Sequence, residues 1–288
     1  MRQLNYQLKQ LCKSNRDGSY TTQINRHDIL QKMADDLHKL GYRGMQANSL
    51  KQKHVDALLH QYKQEGLAIG TLKNRLSVLR WWAIKINKPQ VVAKSNDHYG
   101  IGKRELVAKD SKAKTLDQDK LNDITDAHIK MSLELQAAFG LRREEAIKFS
   151  PLYADQQDHI RLKPSWCKGG RARTVPIHTD YQRAVLNRAH HLAGRGSLIP
   201  SHLMYVQQMR RYEKQTQKAG LCKMHGLRHA YAQTRYQELT SWRAPACAGP
   251  TSKQLTPEQK QTDLKARLII SKEMGHTREQ ITASYLGR

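Results

Sequence analysis

Apolar residues recur at helical spacing along most of this chain, and the places where the recurrence fails mark its organisation. Residues 1 to about 23 are polar and show little period. Ile29, Met33, Leu37 and Leu40 then fall three or four apart and predict a first amphipathic helix, while Leu50, Val55, Leu58, Leu59 and Tyr62 predict a second. Gly66 and Gly70 break the pattern, and Thr71 offers an N-cap for a third helix in which Leu72, Leu76, Leu79, Ala83 and Ile86 share one face. Lys73, Ser77 and Arg80 lie beside that face on its solvent side. From Lys88 to about Lys114 the chain is charged, holds Gly100 and Gly102 and keeps no apolar period, so residues 91–114 read as an inter-domain linker.

Helical spacing returns at 117–124, at 126–139 up to Gly140, and from Glu144 to Phe149. It is interrupted by two alternating segments, 159–163 and 172–177, with Gly169 and Gly170 between them, which predict a β-hairpin with Lys168 at or near its turn. Helical patterns follow at 179–193, 201–219 and 225–239. Pro245, Gly249 and Pro250 mark an irregular stretch to about residue 256, and helix resumes around Glu258. The fold class expected is mainly α with a small β-sheet. At 288 residues two domains are expected, 1–90 and 115–288, each long enough to bury a core.

Charge narrows the partner. Fifty Lys and Arg against 25 acidic residues give +25, spread along the whole chain, and a pI near 10.0. A polyanion is the natural ligand. No window approaches eighteen consecutive apolar residues and the N-terminus has no apolar signal core, so nucleic acid is preferred to membrane and a soluble, cytoplasmic protein is expected. For any one cation, such as Lys73 or Arg80, a merely solvated helix face is the simpler reading. Cys12, Cys167, Cys222 and Cys247 lie far apart without a C-x-x-C pair, which fits reduced thiols. Cys222-x2-His225-x3-His229 is the nearest approach to metal spacing, and a single motif of this kind is weak, so neither a metal nor a cofactor is expected.

Four blocks remain: Gly140-Leu141-Arg142-Arg143-Glu144-Glu145, the hairpin Lys168, His225-Gly226-Leu227-Arg228-His229, and Gly275-His276 followed nine residues later by Tyr285. Each is common alone; their joint order is not. Over residues 116–288 the chain resembles the tyrosine recombinases, or phage-type integrases. Residues 24–90, through Gly70-Thr71-Leu72-Lys73-Asn74-Arg75-Leu76 and Leu79-Arg80, resemble the same family's helical core-binding domain, a less specific match. The resemblance implies a mixed α/β catalytic domain and a site-specific recombinase or integrase. Such an enzyme cleaves and rejoins DNA through a 3′-phosphotyrosine, for integration or excision of a mobile genetic element in a bacterial or phage, nucleoid-associated setting.

It also implies roles. Tyr285 would be the nucleophile, and Arg142 and Arg228 the phosphate clamp, since guanidiniums donate paired hydrogen bonds to phosphate oxygens. His225 would be the base that a tyrosine of ordinary pKa about 10 needs at neutral pH. Lys168 would be the general acid for the 5′-oxygen, and His276 a donor to a non-bridging oxygen. Taken alone, Arg142 would be a helix-start ion pair with Glu144 or Glu145, His229 a structural histidine, and Lys168 one of several hairpin cations. Lys73, Ser77, Arg80, Arg171 and Arg173 are candidate DNA contacts. Double-stranded DNA is the implied partner, with a homotetramer on synapsed sites and an accessory DNA-bending or directionality factor.

Relative to the family, the stretch at 241–260 is long and reads as an inserted surface loop. Only Leu286, Gly287 and Arg288 follow the tyrosine, and the stretch before Ile24 is short for an arm-site domain. Type IB topoisomerases share the tyrosine, arginines and lysine, but His225 at the base position favours a recombinase. A non-catalytic DNA-binding protein is disfavoured by the complete set of candidates.

Overall fold

Residues 2–288 are described by a computed structural model, and they divide into two units, one ending at Glu105 and the other spanning Leu106–Arg288. Four helices carry the first: α1 (Gln3–Ser14), α2 (Tyr20–Lys39), α3 (Gln52–Gln64) and α4 (Ile69–Lys85). The apolar faces expected of the three later helices meet in one core, with Leu37, Leu58, Tyr62, Leu76 and Trp82 fully buried. α1 lies in the stretch read as aperiodic. Leu4 and Leu8 are buried and Leu11 packs beside them, while Asn5 donates to Gln31 and Asp35 of α2 at 3.1 Å each. Three apolar residues at i, i+4 and i+7 suffice when a neighbouring helix supplies the rest of the contact. α4 starts at Ile69 with Ala68 as N-cap, so Gly70 and Thr71 lie inside its first turn rather than before it.

The second unit runs α5 (Gln118–Asn122), α6 (Ala127–Phe139), α7 (Arg143–Ile147), α8 (Pro151–Ala154), β1 (His159–Leu162), β2 (Arg173–Pro176), α9 (Asp180–Ala193), α10 (Tyr205–Lys218), α11 (His225–Thr240), α12 (Pro257–Glu273) and α13 (Ala283–Leu286). The two strands pair antiparallel, Ile160 opposite Val175 and Leu162 opposite Arg173, and these four side chains face inward. The fold is mainly helical with one small sheet, as the pattern of apolar positions predicts.

Two stretches read as irregular carry packed residues. The division between the units falls within 91–114, and Val92, Tyr99 and Ile101 at its near end belong to the first core. The far end is tied to the second unit, where the Ala108 amide donates to the Ala283 carbonyl at 2.9 Å and the Lys114 amide to Gly226 at 3.0 Å. The 241–260 stretch is likewise packed, with Ala244, Ala246 and Leu255 buried and Ala244 sharing a cluster with Tyr285 and Leu286. Small residues and prolines carry no helical period, yet they pack well against a neighbour.

Candidate active site

Gly140 ends α6 in the left-handed conformation (φ 59), and a Cβ there would stand 2.6 Å from the Tyr231 ring of α11. The glycine lets the two helices approach, and its carbonyl accepts from Arg228 Nη1. Arg142 is the N-cap residue of α7. Its amide donates to Glu145 Oε2 at 2.6 Å and its Nη1 to Glu145 Oε1 at 2.9 Å, so the helix-start ion pair of the simpler reading is formed. That pair leaves Nη2 directed at the Met274 carbonyl, 3.3 Å away. Arg228, in the first turn of α11 and only 1% exposed, donates Nη2 to the same carbonyl. Two guanidiniums thus converge on one oxygen.

Both bonds of Arg228 go to carbonyls rather than to a carboxylate, and its Nε has no partner among the described residues. Burial, then the Arg142 charge, lower its pKa to about 10. Buried charge left uncompensated is costly. An anion bridging the two arginines would relieve that cost.

Tyr285, on α13, is 7% exposed, and its Oη lies 3.5 Å from His225 Nε2 at the start of α11. Its ring sits among three imidazoles: His229 at 4.6 Å between centroids, His276 at 5.6 Å and nearly parallel, and His225 at 6.0 Å. Burial and then the arginines lower the pKa of His225 below the ordinary value and that of His276 to about 3. Burial and then His225 lower His229 to about 4. All three rings are therefore neutral at pH 7, and a neutral His225 can accept a proton. The Nδ1 atoms of His229 and His276 have no hydrogen-bond partner among the described residues.

The structure brings Arg142, Arg228, His225, His276 and Tyr285 together. Lys168 is exposed on the β1–β2 connection before Gly169 and Gly170 (φ 77 and 66), its ammonium bonded to no other described residue. Arg171 is exposed on the same connection. Arg173 is corrected: it is 8% exposed, donates to both oxygens of Glu145 at 2.5 and 2.8 Å and gives Nε to the Glu273 carbonyl at 2.9 Å. Its buried guanidinium is directed into the protein, where at least three of its five N–H groups are already bonded. Arg80 is half-buried and binds the Ala93 carbonyl at 3.0 Å and Asn96 at 2.9 Å within the first unit, while its Nη2 has no partner among the described residues. On α4, Lys73 is half-buried and Ser77 exposed, the latter beside Asn74, Arg26 and Trp81 in a shallow cleft of about 250 Å³.

Glu145 was named only as a partner of Arg142 and proves central. Burial pushes its pKa up, but the Arg173 bonds and the Arg173 and Arg142 charges outweigh that and hold it at about 2. The only sequence signal was its place three residues after Arg142. The contact of His229 with Tyr285, and the Met274 carbonyl, carried none. Among the described residues no three His, Cys, Asp or Glu side chains are grouped as metal ligands.

The phage integrase N-terminal model matches residues 1–91 and the integrase model residues 102–234, so the two together span most of the chain, including Arg142, Lys168, His225 and Arg228. The chain belongs to the tyrosine recombinases. It is a site-specific DNA recombinase. No curated protein sequence matches it significantly. Among solved structures it is similar to a lambda integrase dimer bound to a COC′ core site (15% identity, TM-score 0.62, 98% of this chain and 76% of that one). It is also similar to the XerH recombinase bound to difH (16%, 0.56, 98% and 80%) and to the Tn1549 transposon integrase with circular-intermediate DNA (13%, 0.54, 100% and 96%). At these identities the likeness is one of fold. Tyr285 and His276 lie beyond the matched integrase segment, so their roles rest on geometry.

Proposed function

We propose that Tyr285 attacks the scissile phosphate of double-stranded DNA, forming a 3′-phosphotyrosine and releasing a 5′-hydroxyl. The observation that carries this is the convergence of Arg142 and Arg228 on the Met274 carbonyl beside the tyrosine, with the Arg228 charge uncompensated. Phosphate oxygens take the remaining donors of both guanidiniums, and the clamp offsets the charge that grows on them in the pentavalent transition state. His225, neutral and 3.5 Å from Oη, accepts the tyrosine proton. His276 donates to a non-bridging oxygen. Lys168, carried on a turn with two left-handed glycines, swings in to protonate the departing 5′-oxygen.

The partners proposed are double-stranded DNA, three further copies of this chain on synapsed sites, and an accessory DNA-bending or directionality factor. A lambda integrase tetramer on a Holliday junction, matched with a TM-score of 0.59, is the model for that assembly. Integration or excision of a mobile element is the proposed role. A nicked suicide duplex carrying the cognate site tests the chemistry: a covalent adduct with wild type and none with Tyr285→Phe is expected. An adduct that survives Tyr285→Phe would remove Tyr285 as nucleophile.

A further inference from the structure

The main chain around Tyr285 is held at three points by donors from elsewhere in the second unit. The Ala283 carbonyl accepts from the Ala108 amide at 2.9 Å, the Tyr285 carbonyl from Gln233 Nε2 at 2.9 Å, and the Gly287 carbonyl from Arg267 Nη1 at 3.0 Å. The last of these is supported by a built network. Arg267, on α12, is 1% exposed, and its Nε is held by both oxygens of Asp263, one turn earlier, at 2.8 and 2.9 Å. Asp263 also accepts from the Tyr236 hydroxyl at 2.5 Å, and Trp242 Nε1 donates to that hydroxyl at 3.2 Å. Hydrogen bonds therefore run from Trp242 through α11 and α12 to the peptide two residues beyond Tyr285.

The Pro245–Cys247 turn forms the opposite wall. Gly287 has φ 74, and a Cβ there would lie 2.8 Å from the Ala246 nitrogen, 2.9 Å from the Ala108 oxygen and 3.2 Å from Pro245 Cβ. Leu286 is fully buried in the same cluster as Ala244 and Trp242. By contrast the Tyr285 hydroxyl has one neighbour for hydrogen bonding among the described residues, His225. The peptide is fixed while the reacting group is left unspent.

We infer that Arg267, oriented by Asp263, is a positioning residue for the nucleophile. With the 241–256 segment it grips the Tyr285 peptide from both sides, so that the hydroxyl is aimed at the arginine clamp before DNA binds. The inference rests on Tyr285 being the nucleophile. A buried arginine that served only to join α11 and α12 would leave the rate of attack alone, whereas one that aims the tyrosine sets it.

The test compares wild type with Arg267→Ala, Arg267→Lys and Gly287→Ala on the nicked duplex, separating the rate constant of adduct formation at saturating DNA from adduct amplitude and DNA affinity. Arg267→Ala is expected to lower the rate constant about 100-fold while affinity stays within about twofold, the cost typical of a misplaced reacting group. Arg267→Lys keeps a charge and a donor and recovers part of the loss; Gly287→Ala, pressing on the same peptide from the opposite wall, reproduces it. Amide exchange followed by mass spectrometry is expected to quicken at residues 283–287 in Arg267→Ala with α11 unchanged. An unaltered rate constant, or a loss confined to amplitude and affinity together, overturns the inference. If wild type forms no adduct, the nucleophile reading fails, and unaltered exchange at 283–287 then separately overturns the role of Arg267.

Discussion

Burial has changed the ordinary chemistry of the side chains around Tyr285. Free histidine titrates near about 6.5. His229 and His276, held at about 4 and about 3, stay neutral in the folded protein through a range in which the unfolded chain takes up protons. Stability therefore falls as pH drops below the ordinary histidine value and on toward 4. Glu145, depressed to about 2, works in the same direction further down: its contribution is complete above the ordinary carboxylate range and is lost as pH falls from there to about 2. Thermal unfolding followed from pH 8 to pH 4 should show a flat Tm that then declines, and His229→Gln should blunt the decline. A Tm unchanged to pH 4 would contradict the neutral-histidine account. His225 is shifted downward too, so the proposed base remains available at pH 7 and the adduct rate should fall only in acid.

Elements are aligned by a few buried bonds. Glu145 ties α7 to β2 through Arg173 and also holds Arg142, one arm of the proposed phosphate clamp. Glu145→Gln leaves the Arg173 guanidinium buried beside an amide that cannot balance its charge. Breaking such a pair costs about 3–5 kcal/mol, read by chemical unfolding, with a slower adduct rate as Arg142 loosens. Gly140→Ala combines a strained left-handed alanine with a Cβ 2.6 Å from the Tyr231 ring, so α6 and α11 must separate. The expected loss is about 1–3 kcal/mol, together with weaker cleavage because Arg228 loses its carbonyl. The apolar period made α2, α3, α4, α6, α9 and α11 legible in the sequence. It missed α1, whose three apolar positions sit among polar ones, and it made loops of 91–114 and 241–256, whose buried residues, Val92, Tyr99 and Ile101 in the one and Ala244, Ala246 and Leu255 in the other, pack without a period.

At the scale of the molecule, charge dominates. A chain with a formal +25 meets duplex DNA mainly through phosphates, and each neutralised phosphate releases counterions. Raising salt from about 50 to about 200 mM should weaken binding to a non-cognate duplex by about 1,000-fold or more if six or more phosphates are contacted, measured by fluorescence anisotropy. A flat salt response would argue against the electrostatic reading. The inward turn of the Arg173 guanidinium belongs to this scale as well. Net charge says how many cations there are, but not which of them face outward.

The sequence by itself determined the helical pattern and the net positive charge that calls for a polyanion, and it nominated Arg142, Arg228, His225, His276 and Tyr285 as site candidates, because order and residue type along the chain carry that information. Only the tertiary structure decided which arginines are spent internally. Arg173 and Arg228 are both buried, yet one meets the Glu145 carboxylate and the other only carbonyls, and that difference leaves one charge without a carboxylate partner. It alone also joined Trp242, Tyr236, Asp263 and Arg267 to the peptide after Tyr285, since residues from three separate stretches become neighbours only when the chain folds back on itself.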